Sequence, residues 1–186
     1  MAQCGERKAA KSRIKSVRQI EVKMYSFDSW REELLFVGKI IQDSDDSVDP
    51  EESERRFNRY TEMLDALEGN EGYEFALAVF ESIQSIHDYG AYQTAGRAAW
   101  KFGERLFCIA LLAQLPRLIS DLPDWAGDFL VSIANGEGTE YQSTIDMFNL
   151  LLCELPLENQ LVIRDYIREQ ENSGWLEDRV RVLANA

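Results

Sequence analysis

The stretch ERLFCIALLAQ, residues 104–114, decides the fold of this chain. Apolar side chains fill almost every position between its two ends, so the helix that it predicts has no polar face. A helix that is apolar all round is usually buried at the centre of a helical domain. We therefore expect this stretch to be the central helix of an all-α fold, and we expect Pro116 to begin a separate short helix that ends at Leu122.

Helical patterns extend outward on both sides of this stretch. Apolar residues three and four positions apart predict eight to ten helices, and no segment shows the period-two alternation of a strand. Asp49 and Pro50 form the clearest start signal, because a carboxylate caps a helix and proline suits its first position. A stripe that begins at Tyr73 is expected to continue to His87. The predicted starts lie near Ser29, Asp49, Tyr73, Tyr92, Glu104, Pro116, Asp124, Thr139, Pro156 and Trp175.

A short motif occurs twice in the second half of the chain. The sequence LLAQLP at 111–116 recurs as LLCELP at 151–156, forty residues later. Repeats of the HEAT type consist of helical hairpins with a period of about 40–47 residues. The motif favours a short HEAT-like stack of hairpins (an α-α superhelix), and an irregular helical bundle is the alternative.

Charge divides the chain of 186 residues, which has a net charge of −13, into unequal parts. Residues 1–23 carry seven basic and two acidic side chains, whereas residues 24–90 carry five basic and seventeen acidic ones. We interpret 1–23 as a basic, disordered leader and 24–186 as one helical domain, with Met24 as an alternative start. A negative surface repels nucleic acid and anionic membranes and attracts basic proteins, although acidity also serves solubility.

Several classes of protein are disfavoured by what the sequence contains. The three cysteines are too few and too irregular for a disulfide framework, and no apolar run is long enough to span a bilayer. His87 is the sole histidine, and the common nucleophile, phosphate-loop and metalloprotease motifs are missing. We therefore expect a cytoplasmic protein that is not an enzyme and needs neither metal nor cofactor.

Candidate partner-binding residues come from an acidic connection and from aromatic side chains. Six acids lie within ten residues between two predicted helices, a suitable footprint for Lys and Arg of a partner. The same segment spaces its oxygen-bearing residues as a calcium loop does, but Val48 and Pro50 stand where that loop needs glycine and an N–H donor. Aromatic residues near helix ends, Trp100, Trp125, Tyr141 and Trp175 included, are possible anchors, a minority of them exposed. The candidate residues are Asp43, Asp45, Asp46, Asp49, Glu51, Glu52, Tyr89 and Tyr92.

Local strings over residues 25–183 resemble the all-α immunity proteins of bacterial polymorphic-toxin and contact-dependent growth inhibition systems. The strings are AYQTAGRAAW at 91–100, LP at 115–116, DWAG at 124–127, IDMFN at 145–149 and GWLE at 174–177. The resemblance implies a small protein that binds a cognate toxin domain, often a basic nuclease, and masks its active or nucleic-acid-binding surface. It implies a monomer or a one-to-one complex with the toxin. The alternatives are a small α-solenoid adaptor that binds a peptide or helix, and an enzyme with unrecognised carboxylate or calcium chemistry.

Overall fold

The computed structural model describes residues 26–42 and 47–174, and within these ranges every regular element is an α-helix. The all-α prediction is therefore confirmed for the part of the chain that is described. Contacts divide the chain into two units, Met1–Glu33 and Leu34–Ala186. The helices are α1 (Phe27–Gly38), α2 (Pro50–Asp65), α3 (Tyr73–Glu81), α4 (Ala91–Trp100), α5 (Glu104–Asp121), α6 (Pro123–Ala134), α7 (Gln142–Leu152) and α8 (Leu157–Ser173).

Helix α5 is the centre of the second unit, as the composition of residues 104–114 predicts. It packs against α3, α4, α6, α7 and α8, while α2 packs against α4. Phe107, Leu111 and Leu115 are fully buried, and each such side chain stabilises the fold by about 1.5–3 kcal/mol relative to exposure. Phe107 meets Phe80 of α3 edge to face, with 5.4 Å between the ring centroids. The helices of this unit thus form a bundle around one apolar element.

The predicted break at Pro116 is wrong, because α5 continues through this proline to Asp121. Proline has no N–H to donate to the carbonyl of Leu112, which weakens the helix at this point. The buried side chains of Leu115 and Leu118 on either side hold the helix in the core. Burial on both sides therefore outweighs the local preference of proline.

The second copy of the motif has a different structure. Helix α7 ends at Leu152, and Pro156 precedes the first residue of α8 in an extended conformation. Cys153 and Glu154 are exposed, so no core contact holds this segment in a helix. One copy thus lies within a helix and the other spans a turn, and the two are not equivalent hairpins.

Two other helix ends differ from the predicted ones. Helix α1 begins after Ser26, whose hydroxyl accepts from the backbone N–H of Ser29 at 3.3 Å, so Ser26 takes the capping place predicted for Ser29. Helix α3 ends at Glu81, and His87 lies in the loop that follows it. The start at Asp49 is confirmed, because its carboxylate accepts from the Glu51 N–H at 2.8 Å.

Candidate partner-binding surface

The non-helical segment from Ser82 to Gly90, called here the 82–90 loop, is held by hydrogen bonds from several helices. Its residues Gln84 and Ser85 donate their backbone N–H groups to the hydroxyl of Tyr92, at 3.0 and 2.9 Å. That hydroxyl in turn donates to the carbonyl of Gly38 at 2.7 Å. A single buried oxygen therefore ties the loop to α4 and to the end of α1.

Two side chains from α5 and α6 fasten the other side of the 82–90 loop. The guanidinium of Arg117 donates to the carbonyls of Phe80 and Ile83, at 2.9 and 3.0 Å. The indole N–H of Trp125 donates to the carbonyls of Ser85 and Ile86, at 3.1 and 3.2 Å. Burial lowers the pKa of Arg117, yet arginine stays charged in proteins. These donors thereby satisfy carbonyl groups at the end of α3 and in the loop, where the regular helical bonding stops.

The chain segment after α1, Lys39–Gln42, completes the enclosure of the loop. The Ser85 hydroxyl donates to the carbonyl of Ile40 at 2.9 Å. The Gln42 side-chain amide donates to the carbonyl of His87 at 2.8 Å. Gly38 allows this close approach, because a Cβ atom there would lie 2.7 Å from the Ser82 carbonyl oxygen. The loop is therefore rigid although it contains no regular structure.

This rigid loop presents two large apolar side chains to solvent. Ile86 is 67% exposed and Tyr89 is 52% exposed. Tyr89 also has a φ angle of 50°, the single positive value among the non-glycine residues in the described part of the chain. Such a backbone conformation costs roughly 1–3 kcal/mol and tends to occur at functional sites. Exposed side chains on a strained, well-anchored loop are typical of a binding surface.

A groove of about 480 Å³ adjoins the loop and reaches the start of α2. Val37, Ile40, Ile41 and Phe57 give it an apolar lining, and Tyr89 forms part of its edge. A second hollow of about 390 Å³ shares Ile40, Ile41 and Val48 with it and extends to Ile86. The exposed side chains of the loop and this groove together are called here the docking surface.

Carboxylates lie on two sides of the docking surface. Asp128 of α6 has its pKa raised by burial and by the nearby charges of Asp124 and Asp88. These three carboxylates come from α6 and from the 82–90 loop, so folding concentrates negative charge beside Ile86 and Tyr89. On the other side, Glu54 lines the groove near the start of α2.

The acidic residues that the sequence analysis selected lie in different environments in the structure. Asp49 caps α2, and Glu51 is exposed in its first turn. Glu52 pairs with Arg55 and with Arg56, and the hydrogen bonds from Arg56 and Arg55 hold its pKa below the usual range. Arg56 also lies over the exposed ring of Phe36, 4.3 Å from its centroid. Asp43, Asp45 and Asp46 lie outside the described residues, so their part in binding stays a prediction.

The aromatic candidates separate into buried and exposed residues. Tyr92 is 1% exposed, and its hydroxyl bonds within the core, so this side chain supports the docking surface from below and cannot contact a partner. Trp100 and Trp125 are half-buried, whereas Tyr89 and Tyr141 are exposed. Trp175 lies outside the described residues.

Sequence reasoning missed Ile86, which is exposed on this surface, and it named Trp125 as an aromatic anchor and not as a residue that holds the loop. Ile83 and His87 fit a helical stripe, and that pattern concealed the loop. The available signal was composition, because Ser82, Ser85, Asp88 and Gly90 are residue types that favour turns. No sequence signal marked Trp125 as the donor to the loop carbonyls, since that contact joins residues 39 and 40 positions apart.

Neither a metal-binding cluster nor a membrane-spanning helix occurs in the part of the chain that is described. Over 26–42 and 47–174, no three His, Cys, Asp or Glu residues are grouped so that they could hold a metal ion. None of the helices in these ranges combines the length and the apolar character needed to cross a membrane. Comparison with protein-family models, with curated proteins and with solved structures found no match to this chain.

Proposed function

We propose that this protein binds one basic partner protein through the docking surface and acts by blocking it, as an immunity protein blocks its toxin. The observation that carries the proposal is the pair of exposed side chains, Ile86 and Tyr89, on a loop held by Tyr92, Arg117 and Trp125. A few apolar and aromatic anchors usually supply most of the binding free energy of an interface. A loop that is already ordered loses little conformational entropy when it binds.

Charge supports a basic partner. Asp88, Asp124 and Asp128 adjoin the loop, and the acids at the start of α2 adjoin the groove. Carboxylates around an apolar centre accelerate association with a positively charged protein and reject acidic ones. Basic nucleases are proteins of that kind, and a protein that covers the nucleic-acid-binding surface of a nuclease would prevent its activity.

The proposed setting is the bacterial cytoplasm. Cys108 is a buried thiol whose pKa is raised to about 12 by burial and by the charge of Glu104, and Cys153 is an exposed free thiol. Unpaired cysteines suit a reducing compartment. In this proposal the functional unit is a monomer that forms a one-to-one complex with its toxin.

The experiment measures binding to the toxin domain encoded beside this protein. Ile86→Ala and Tyr89→Ala are each expected to weaken the complex by about tenfold or more, mainly through faster dissociation. Leu157→Ala and Tyr141→Ala are matched controls, because these residues are 69% and 56% exposed and lie outside the docking surface. Alanine keeps a Cβ atom at position 89, so the wild-type protein and the Tyr89→Ala variant have the same backbone strain there.

Two outcomes of these measurements would contradict the proposal. If the controls weaken the complex as much as the test variants, the docking surface is not the interface. If no neighbouring toxin binds and several unrelated peptides bind the groove instead, the result favours the adaptor function over the immunity function. These outcomes are distinguished by testing whether a single basic protein co-purifies with the untagged chain. Its binding to the same four variants is then measured.

A further inference from the structure

A separate cleft, of about 440 Å³, lies away from the docking surface, between the ends of α4 and α6 and the start of α7. Volumes of about 300–1,000 Å³ are typical of sites for small molecules. None of the side chains that line it carries a charge, and two of them are large aromatic rings. The lining residues are Trp100, Ser132, Ile133, Asn135, Gly136, Tyr141 and Thr144.

The aromatic wall of this cleft is fixed before any ligand arrives. Trp100 stacks on Phe107 of the central helix, with 3.9 Å between the ring centroids and 14° between the ring planes. Phe107 is fully buried, so the indole has firm support on one side. A half-buried ring with one supported face offers a platform on which another flat ring can stack.

The loop on the opposite wall is also well defined. Gly136 is packed so closely that a Cβ atom would lie 2.8 Å from the Tyr141 carbonyl oxygen. The Thr139 hydroxyl donates to the Gly136 carbonyl at 2.8 Å and accepts from the Tyr141 N–H at 3.1 Å. These contacts hold the backbone that carries Tyr141, whose side chain is 56% exposed.

Three neutral hydrogen-bonding side chains line the cleft, and one of them has no partner in the protein. Thr144 is 1% exposed, and its hydroxyl oxygen has no hydrogen-bond partner in the structure. Buried polar atoms are nearly always satisfied, so an exception needs an explanation such as a missing ligand. The Ser132 hydroxyl donates to the Phe129 carbonyl at 2.7 Å, which leaves its lone pairs able to accept. Asn135 is exposed at the end of α6 and presents an amide that both donates and accepts.

We propose that this cleft binds an uncharged planar heteroaromatic ring, as found in a nucleobase or nucleoside. An aromatic platform suits a flat ring, and neutral hydroxyl and amide groups suit its polar edge. Because the lining provides no cation and Glu137 and Glu140 stand on the adjoining loop, a phosphate group would be repelled. This site is separate from the docking surface and does not depend on the proposed function.

The first experiment tests the class of ligand by saturation-transfer NMR with the full chain. Adenosine, guanosine, cytidine and uridine are the probes, with their 5′-monophosphates and glucose as comparison compounds. We expect transfer to the base protons of at least one nucleoside, with the same base binding about tenfold more weakly as its monophosphate. Absence of transfer to all four nucleosides, stronger binding of glucose, or equal binding of the matching monophosphate would each overturn the proposal.

The second experiment places the ligand in the cleft. Tyr141→Ala should weaken nucleoside binding about fivefold or more, because a stacking or edge contact is removed. Tyr89→Ala, which removes a similarly exposed tyrosine from the docking surface, should leave it unchanged. Equal effects of the two substitutions would refute the location.

Thr144→Val separates a role in ligand binding from a role in folding. Valine keeps the volume of the side chain and removes a hydroxyl that has no partner in the protein. We therefore expect an unchanged or higher Tm together with nucleoside binding weakened several-fold. A lower Tm with unchanged ligand binding would show that the hydroxyl serves the fold, and the proposal would then fail at this residue.

Discussion

Tyr92 shows how one hydroxyl positions a surface that it does not reach. It accepts from Gln84 and Ser85 and donates to Gly38. Burial raises the pKa of this phenol, so it stays neutral and can serve as both donor and acceptor. The N–H groups of Gln84 and Ser85 depend on this oxygen as their shared acceptor beneath the loop, whereas the Gly38 carbonyl also accepts from the Ile40 N–H at 2.9 Å.

The substitution Tyr92→Phe is expected to lower the free energy of unfolding by about 2–4 kcal/mol, because it leaves the N–H groups of Gln84 and Ser85 without their shared acceptor. Urea denaturation measures this loss, and faster hydrogen exchange at the Gln84 and Ser85 amides locates it. Tyr141→Phe is the control, since that side chain is exposed; its effect should stay within about 0.5 kcal/mol. A loss that is equal in the two variants, or no change in exchange at the loop, would contradict this account of Tyr92.

The same residue shows the limit of sequence reasoning at this scale. Tyr89 and Tyr92 are three positions apart and both near a predicted helix end, so the sequence offers no reason to separate them. Folding exposes the first and buries the second. The role of Asp49 was predictable, because a helix cap depends on the four or five residues around it. The role of Tyr92 was not, because its partner Gly38 lies 54 residues away.

At the scale of elements, the two copies of the repeated motif show how context changes the effect of proline. Pro116 lies inside α5, and Pro156 lies just before α8. In α8 the carbonyls of the preceding turn are satisfied by Gln160, which donates to those of Cys153 and Leu155. A repeat in the sequence therefore does not imply a repeat in the structure when one copy is buried and the other is exposed.

We expect Pro116→Ala to stabilise the protein. Proline in a helix interior costs about 3 kcal/mol, and part of this is offset by its stiffening of the unfolded chain, about 0.4–1 kcal/mol. A net gain of about 2 kcal/mol should appear in urea denaturation. Pro123→Ala is the control, because Pro123 begins α6, where proline is favourable, and its loss should be neutral or slightly destabilising. Loss of stability in both variants would show that the proline shape itself is needed in α5.

The elements that the sequence predicted well are those with their own local signals. The apolar composition of residues 104–114 indicated the central helix, and Asp49 with Pro50 indicated the start of α2. The 82–90 loop was missed, because Arg117, Trp125 and Tyr92 stabilise a non-helical path there, and residues from three other helices are not visible in a local pattern. The sequence therefore predicted that the candidate surface is negative and that it includes Tyr89. It did not predict the geometry of that surface.

At the scale of the whole molecule, negative charge is distributed differently in space and in sequence. Counting along the chain places most of it in residues 24–90. Folding adds Asp124 and Asp128 of α6 to the neighbourhood of Asp88, and burial together with the charges of Asp124 and Asp88 raises the pKa of Asp128. A partner that approaches the loop therefore meets negative charge from two segments that lie far apart in the sequence.

This arrangement predicts how salt, pH and mutation change the association rate. Asp124→Asn together with Asp128→Asn should slow association with the basic partner several-fold at low salt and leave dissociation nearly unchanged, because these charges steer the encounter. Glu154→Gln together with Glu158→Gln is the control: it changes the net charge equally, and both acids are exposed outside the docking surface. Stopped-flow measurements over a range of salt concentrations provide the rates, and the difference between the pairs should vanish at high salt.

The pH dependence follows from the direction of the Asp128 shift. Burial and the charges of Asp124 and Asp88 raise the pKa of this carboxyl, so it takes up a proton at a higher pH than an ordinary aspartate. As pH falls from neutral, protonation of Asp128 removes a negative charge from the docking surface, and association with the proposed basic partner should slow in this early phase. The Asp124→Asn/Asp128→Asn protein should lack this early phase, whereas the Glu154→Gln/Glu158→Gln protein should retain it. An early phase of the same size in both proteins would place the titrating group elsewhere and remove the electrostatic basis of the proposed interface.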